Sequence, residues 1–289
     1  MSTIDDKLQE MLDNADYDCA LLNVDLDRDI QNKLLDYQVL HVQNLVGSIE
    51  KNKIAIDTSD TGCGKTYCAL AVCKQLNLNP IIICPKSIIS NWKKIAKIFG
   101  VEPVFACNYE TLRRGKYYTD SQMLNRVKCP YLKFNKKEKK FTWYKIRANH
   151  IIIFDEVHVC KKKTTLNGKL LISSLPYNKL LLSATLIDSI SSFEIFTYIL
   201  GWCNNIKKTK NYLLAETHHL KSFNYISSKL YPKYASRISI KELGDKFPQN
   251  NIIVDDYDDD NFKLIDEEYN KIKEYYKKLD EKQDKSNKA

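Results

Sequence analysis

A parallel α/β fold, with helices covering both faces of the sheet, is what this 289-residue sequence predicts, and three observations predict it. Short apolar runs alternate with stretches of helical spacing from about residue 33 to 187, the pattern of a sheet built from strand–helix–strand units. One run, Ile54-Ala55-Ile56, leads into a glycine-bearing loop that opens a helix. Another, Ile151-Ile152-Ile153-Phe154, ends in two carboxylates, Asp155 and Glu156. It reads as a fully buried parallel strand with acids at its carboxyl end.

Taken in order, residues 1–30 read as a weakly structured acidic arm and 33–50 as a helix. Strands are expected near 53–57, 80–84, 103–107, 150–154 and 179–183, with helices near 64–76, 87–98, 109–118 and 165–174. Residues 131–134 and 140–144 flank a lysine-rich turn and read as a β-hairpin inserted at about 130–145. The main domain is placed at 31–187, followed by a helical, basic stretch over 188–250. Residues 251–254 read as a short strand. Beyond them Phe262, Ile265, Tyr269, Ile272, Tyr275, Tyr276 and Leu279 recur at helical spacing before a polar tail closes 251–289.

Ser59-Asp60-Thr61-Gly62-Cys63-Gly64-Lys65-Thr66 sits between a strand and a helix, where a phosphate-binding loop belongs. Glycines let the backbone wind around a polyphosphate, so that successive N–H groups and the helix N-terminus face the anion. Thr61, Gly62, Cys63, Gly64, Lys65 and Thr66 are the candidate nucleotide contacts: Lys65 would reach the β- and γ-phosphates, and the Thr66 hydroxyl would bind Mg²⁺. Ser59 stands where the strict pattern has its leading glycine. Ligands of open α/β sheets lie outside the carboxyl ends of the strands, so Asp155 and Glu156 should face this loop. Asp155 can then hold Mg²⁺, and Glu156 can orient and deprotonate an attacking water.

Composition narrows the setting. No apolar run is long enough to span a membrane, the first eighteen residues are acidic rather than leader-like, and the nine cysteines form no CxxC pair. An intracellular, reducing location is expected, in cytoplasm, nucleus or virion, with no membrane partner. The net charge of +9 is unevenly spread: residues 1–30 carry two basic and nine acidic side chains, and 251–289 carry eight and twelve. Residues 31–250 carry thirty-five basic and fifteen acidic side chains, a charge of +20. A middle that basic suggests a polyanionic partner beyond the nucleotide.

Lys65, the Asp155-Glu156-Val157-His158 box and Ser183-Ala184-Thr185 are similar, in order and spacing, to motifs I, II and III of superfamily-2 helicases. Further strings resemble the Swi/Snf-type branch. Leu35-Asp36-Tyr37-Gln38 with His41-Val42-Gln43 looks like its opening motif, Ile81 to Ser87 with Asn91-Trp92 like motif Ia, and Asn108 to Leu112 like motif Ib. Leu180 to Thr185, with Ser192-Phe193 and Leu200-Gly201, looks like motif III and its trailing helix. The resemblance covers roughly residues 33–265 and looks closest to the Swi/Snf-like proteins of large DNA viruses. Leu186 replaces the proline usual after motif III.

The resemblance implies a RecA-like P-loop ATPase domain with a trailing helical subdomain, using ATP and Mg²⁺. It implies that Gln38 reads adenine and that His158, Ser183 and Thr185 couple the nucleotide to movement. It places Lys86, Ser87, Arg113 and Arg114 on nucleic acid, with duplex DNA favoured and backbone contacts dominant. In this class the ATP site lies between two RecA-like lobes, the second supplying an arginine finger. After Leu186 the sole arginine is Arg237. A second lobe, in cis or in trans, is therefore expected, and this chain alone should hydrolyse ATP weakly, since such a finger is worth roughly 10³–10⁵ in rate. The function implied is the ATP-binding lobe of a nucleic-acid-dependent ATPase that moves along duplex DNA. Two other readings are an ATP-gated nucleic-acid-binding module without motor activity, and a P-loop phosphotransferase that uses no nucleic acid.

Overall fold

The computed structural model describes residues 24–120, 122–186, 189–217, 222–244, 247 and 264–275. Along the chain run α1 (Arg28–Gln31), α2 (Asp36–Asn52), β1 (Ile54–Asp57), α3 (Lys65–Gln75), β2 (Asn79–Ile83), α4 (Ile89–Phe99), β3 (Phe105–Cys107) and α5 (Tyr109–Leu112). Next come β4 (Lys116–Tyr118), β5 (Arg126–Lys128), β6 (Leu132–Asn135), β7 (Lys140–Trp143), β8 (His150–Asp155), α6 (Leu166–Ser173) and β9 (Lys179–Leu182). Then follow α7 (Glu194–Ile199), α8 (Thr209–Thr217), α9 (Ser222–Leu230), β10 (Ala235–Ser236) and α10 (Ile240–Leu243). A helix over 264–275 belongs to a second unit of the chain, and its Ile265, Tyr269 and Ile272 are exposed.

One parallel sheet of six strands, in the order β10-β1-β9-β8-β2-β3, organises the main unit. The chain moves one way across it from β1 to β2 to β3 and the other way from β8 to β9. Right-handed crossovers therefore put α3 and α4 on one face and α6 on the other. That accounts for strands buried on both faces: every residue of β1, β8 and β9 is buried. Burying an isoleucine side chain is worth about 1.5–3 kcal/mol, so Ile151, Ile152 and Ile153 alone contribute substantially to the core.

Register does the rest. Asp57 pairs with Leu182 on one side and Ser236 on the other, and Leu182 pairs in turn with Asp155. Ser236, Asp57, Leu182 and Asp155 thus form one row at the carboxyl end of the sheet. The segments that follow them are the phosphate-loop candidate, Ser183 with its neighbours, and Glu156.

The inserted hairpin forms as β6 and β7, with Phe134 and Phe141 stacked at 4.7 Å between centroids. The Trp143 indole N–H donates to the Ser173 hydroxyl of α6 at 2.9 Å, which ties the hairpin to the domain. Two readings change. The helix expected over 109–118 ends at Leu112, because Gly115 adopts a φ of +70° and turns the chain into a second hairpin, β4–β5. Within 188–250, read as helical, β10 returns to the sheet beside β1; two residues are too few for a period-2 pattern to register in the sequence. The strand expected at 251–254, the polar tail and most of the acidic arm lie outside the described residues.

Candidate ATP site

The loop after β1 has the geometry a phosphate cradle needs. Gly62 and Gly64 have φ of +90° and +85°, a region that side-chain-bearing residues rarely adopt. A Cβ on Gly64 would also meet the end of the Gln38 side chain, which would have to shift. Gln38, which is buried, donates from Nε2 to the Cys63 carbonyl at 2.9 Å and accepts at Oε1 from the Leu35 N–H at 3.0 Å. Its amide therefore braces the loop. Lys65 folds over the loop, donating from Nζ to the carbonyls of Ser59 at 2.9 Å and Asp60 at 3.1 Å. Thr66 opens α3 beside it, and its hydroxyl has no hydrogen-bond partner among the described residues. Thr61 is exposed and Cys63 buried.

Ser59, the departure from the strict motif, has no left-handed φ and so needs no glycine. Its side chain is used: Oγ accepts from the Ile238 N–H at 3.0 Å, while its own N–H donates to Asp57 Oδ1 at 2.9 Å. The residues just after β10 clasp the loop further. Asp60 accepts from Arg237 Nη2 at 3.0 Å and from the Ile240 N–H at 3.0 Å, and these bonds, the Ile240 amide foremost, hold its carboxyl below the usual range. Sequence reasoning missed this clasp.

A buried polar cluster lies under the loop. His41 Nε2 is 3.1 Å from Asp57 Oδ2, with both side chains at most 2% exposed, and His41 Nδ1 is 2.8 Å from the Ser236 hydroxyl. Burial pushes the Asp57 carboxyl up, but His41 and Ser59 outweigh it, and the net shift is downward. Asp57 is thus held ionised inside the protein. Beside the cluster a cavity of about 200 Å³ opens between α2 and the segment after β10, lined by Tyr37, His41, Asn44, Arg237 and Glu242 among others.

Asp155, 6% exposed, closes the row. Its Oδ2 accepts the Trp92 indole N–H at 2.8 Å and its Oδ1 the Glu156 N–H at 3.0 Å; its carbonyl accepts from the Tyr109 hydroxyl at 2.8 Å. Burial raises its carboxyl to about 6, with the Trp92 bond opposing and the Glu156 charge adding. Trp92 is fully buried, so it is a core residue whose N–H grips the acid; an apolar helix face suggests the burial but not the bond.

Glu156 takes a left-handed φ of +54°, unusual for a residue with a side chain, and this strain sits at the site. Its carboxylate is 3.1 Å from His158 Nδ1, which is 3.2 Å from the Ser183 hydroxyl. Ser183 Oγ in turn accepts the Thr185 N–H at 3.3 Å. Glu156, His158, Ser183 and Thr185 therefore form one connected chain of contacts from β8 to β9.

Among the nucleic-acid candidates, Lys86 and Ser87 are exposed in a 3₁₀ turn (Lys86–Ile88) that begins three residues after β2 ends. Arg113 and Arg114 follow α5, at the neighbouring edge strand. The four share one end of the sheet. No helix among the described residues is long and apolar enough to cross a membrane.

Residues 31–188, more than half of the chain, match the family described as "Type III restriction enzyme, res subunit". The chain belongs to this family. Its sequence is 37% identical over 290 residues to a protein of Acanthamoeba polyphaga mimivirus that bears the provisional name of ATP-dependent RNA helicase. That match covers 89% of this chain and 53% of the relative, so the chain spans about half the relative's length. The Sulfolobus solfataricus SWI2/SNF2 ATPase core, solved in complex with dsDNA, shares its fold with a TM-score of 0.52 and 15% identity, over 75% of this chain and 47% of that one. This chain therefore carries a RecA-like domain of the superfamily-2 helicase/ATPase class, related to that of a large DNA virus, and ATP is the nucleotide of its family.

Proposed function

We propose that this lobe binds ATP with Mg²⁺ and, paired with a second RecA-like lobe, couples ATP hydrolysis to movement along duplex DNA. The alignment of four strand ends in one row carries the reading, because it brings the glycine-bearing loop, Asp155-Glu156 and Ser183 to one place. The residues fit the ligand: two left-handed glycines form the cradle, the Thr66 hydroxyl is unengaged among the described residues, and a carboxylate with a raised pKa faces the same end.

Lys65 would exchange the Ser59 and Asp60 carbonyls for phosphate oxygens. Thr66 and Asp155 would hold the metal ion, whose charge offsets that of the triphosphate when bound. Glu156 would take the proton of the attacking water, its carboxylate aimed by the left-handed backbone and by His158. Gln38 uses one amide hydrogen and one Oε1 lone pair within the protein, and the other of each would serve adenine. The His158–Ser183–Thr185 contacts would relay the state of the site to the segment after β9. Nucleic acid would be gripped by its phosphates through Lys86, Ser87, Arg113 and Arg114, which positions without reading sequence.

The mimivirus relative's name favours RNA as a second reading of the track. The test is ATP turnover by the chain joined to a second lobe, with and without duplex DNA or RNA. Stimulation by duplex DNA, with turnover but not ATP binding lost in Glu156→Gln, is the expected result. Stimulation by RNA alone would move the assignment to RNA, and turnover indifferent to both would overturn the motor reading.

A further inference from the structure

The β4–β5 hairpin is a feature that the sequence pattern did not announce, and it carries charge without counter-charge. Two cations converge on one ring beside its turn: Lys86 Nζ and Arg126 Cζ each lie 5.9 Å from the centroid of Tyr118. The ring is fixed in place, since the Tyr118 hydroxyl donates to Asn108 Oδ1 at 2.9 Å and lies 3.0 Å from the Thr111 hydroxyl. Across the hairpin, Arg126 pairs with Tyr118, and Lys116 stands directly opposite Lys128. Like charges facing each other on a β-ribbon are destabilising. A ring face attracts cations but leaves their charge in place.

No ion pair among the described residues engages Lys86, Lys116, Arg126 or Lys128. The acids nearby in sequence have other partners. Asp120 accepts the N–H groups of Leu124 and Asn125, and Glu110 accepts from the Asn108 amide. These four cations are exposed, and none is neutralised by an ion pair among the described residues, which suits the cluster to an anion. Repetition of charge along a ribbon suits a repeating anion better than a single phosphate.

We propose that the β4–β5 hairpin is a nucleic-acid-binding element: a phosphodiester of the bound strand sits between Lys86 and Arg126 above Tyr118, and a neighbouring phosphate engages Lys116 and Lys128. This rests on the nucleic-acid reading of the previous subsection and extends it to residues that no helicase motif covers. Lys86 belongs to both surfaces, so the hairpin prolongs the path that starts at the turn after β2. The hairpin lies away from the phosphate loop, and two strand spacings, about 10 Å, from the end of β8 that carries Asp155. Three strands separate β1 from β3, which precedes the hairpin, and four strand spacings amount to about 19 Å.

The test is fluorescence anisotropy of the full chain with a labelled duplex and a labelled single strand, at several salt concentrations. Each lost phosphate contact removes about 0.9 from the slope of log K against log salt, equivalent to roughly eightfold in affinity near 0.1 M salt. Arg126→Ala with Lys128→Ala should therefore flatten the slope by about 1.8. Arg126→Glu should weaken binding further, and Arg126→Lys should keep the slope. Circular dichroism and the MgATP-induced melting shift should match wild type in all of them. If the double-alanine variant binds with wild-type affinity and slope, the hairpin proposal is overturned while the motor reading stands, and the cluster is left for an acidic protein segment. If the wild-type chain binds no nucleic acid, both fail. If Arg126→Ala with Lys128→Ala loses its fold, comparison of the folded Arg126→Lys and Arg126→Glu variants decides: equal affinities overturn the proposal.

Discussion

Replacing Trp92 with phenylalanine tests whether the acid of the Asp-Glu box is tuned by the core. The ring stays buried, but Asp155 Oδ2 loses the indole N–H that reaches it at 2.8 Å. A hydrogen bond to a charged group is worth about 1.5–3 kcal/mol, and the smaller ring costs roughly another 1 kcal/mol in packing. A loss near 3 kcal/mol corresponds to a fall in Tm of roughly 6–12 °C for a domain of this size. The charge state gives a second readout. Burial holds the Asp155 carboxyl at about 6, above its ordinary 3.8, and the Trp92 bond is the main force pulling it down. A carboxyl raised in the folded state favours the protonated fold, so its contribution to stability declines as pH rises from about 4 to 6 and is level above that. Without the indole the decline should extend above pH 6. Mg²⁺ needs the ionised carboxylate, so stabilisation by MgATP should grow with pH, with its midpoint higher in Trp92→Phe than in wild type. Scanning calorimetry with and without MgATP between pH 5 and 9 measures both. A Tm within 2 °C of wild type, with an unmoved midpoint, would refute the idea that Trp92 positions the acid.

His41→Leu should destabilise the fold by about 3–5 kcal/mol in urea titration, because the ionised, buried Asp57 loses its partner; a change under 1 kcal/mol would contradict the paired cluster. With its carboxyl held low, Asp57 contributes stability that is present above its ordinary pKa and lost as pH falls below it, and this acid-side loss should shrink in the same variant. Gly64→Ala brings a Cβ against the Gln38 amide and forces a left-handed alanine, a strain of about 1–2 kcal/mol; if the loop relaxes away from its phosphate-binding shape to relieve it, ATP affinity should drop about five- to thirtyfold by calorimetry. Unchanged affinity would show that Gln38 does not brace the loop. Changing Lys86, Arg113 and Arg114 together to alanine should weaken binding to all duplex sequences alike and flatten the salt slope by up to about 2.7; sequence-selective loss would count against a backbone grip.

The sheet was legible because its strands announce themselves. Runs such as Ile151 to Phe154 are apolar without interruption, and only burial on both faces allows that. The site residues were legible for a related reason: Gly62, Gly64, Lys65 and Asp155 need particular residue types at strand ends, and the register brings those ends into line. Contacts made across long sequence separations were hidden. Nothing near Asp60 in sequence points to Arg237, which reaches it from 177 residues away. Likewise Trp92 and Asp155 are 63 residues apart, and each reads alone as a core residue and a strand-end acid. The β4–β5 hairpin was missed because its strands are three residues long, too short to outweigh the helical reading of 109–118; Gly115, with its φ of +70°, was the available stop signal.

An ATP site built from the loop over 59–66 and Asp155 should show itself in the melting temperature of the chain. At MgATP near 100 times its Kd, the folded state should gain about 2.7 kcal/mol, a rise in Tm of roughly 5–11 °C. Lys65→Ala, which removes the ammonium now held on the Ser59 and Asp60 carbonyls, should fold normally and show no rise. An equal rise in Lys65→Ala, or none in the wild-type chain, would show that ATP is not held by this loop.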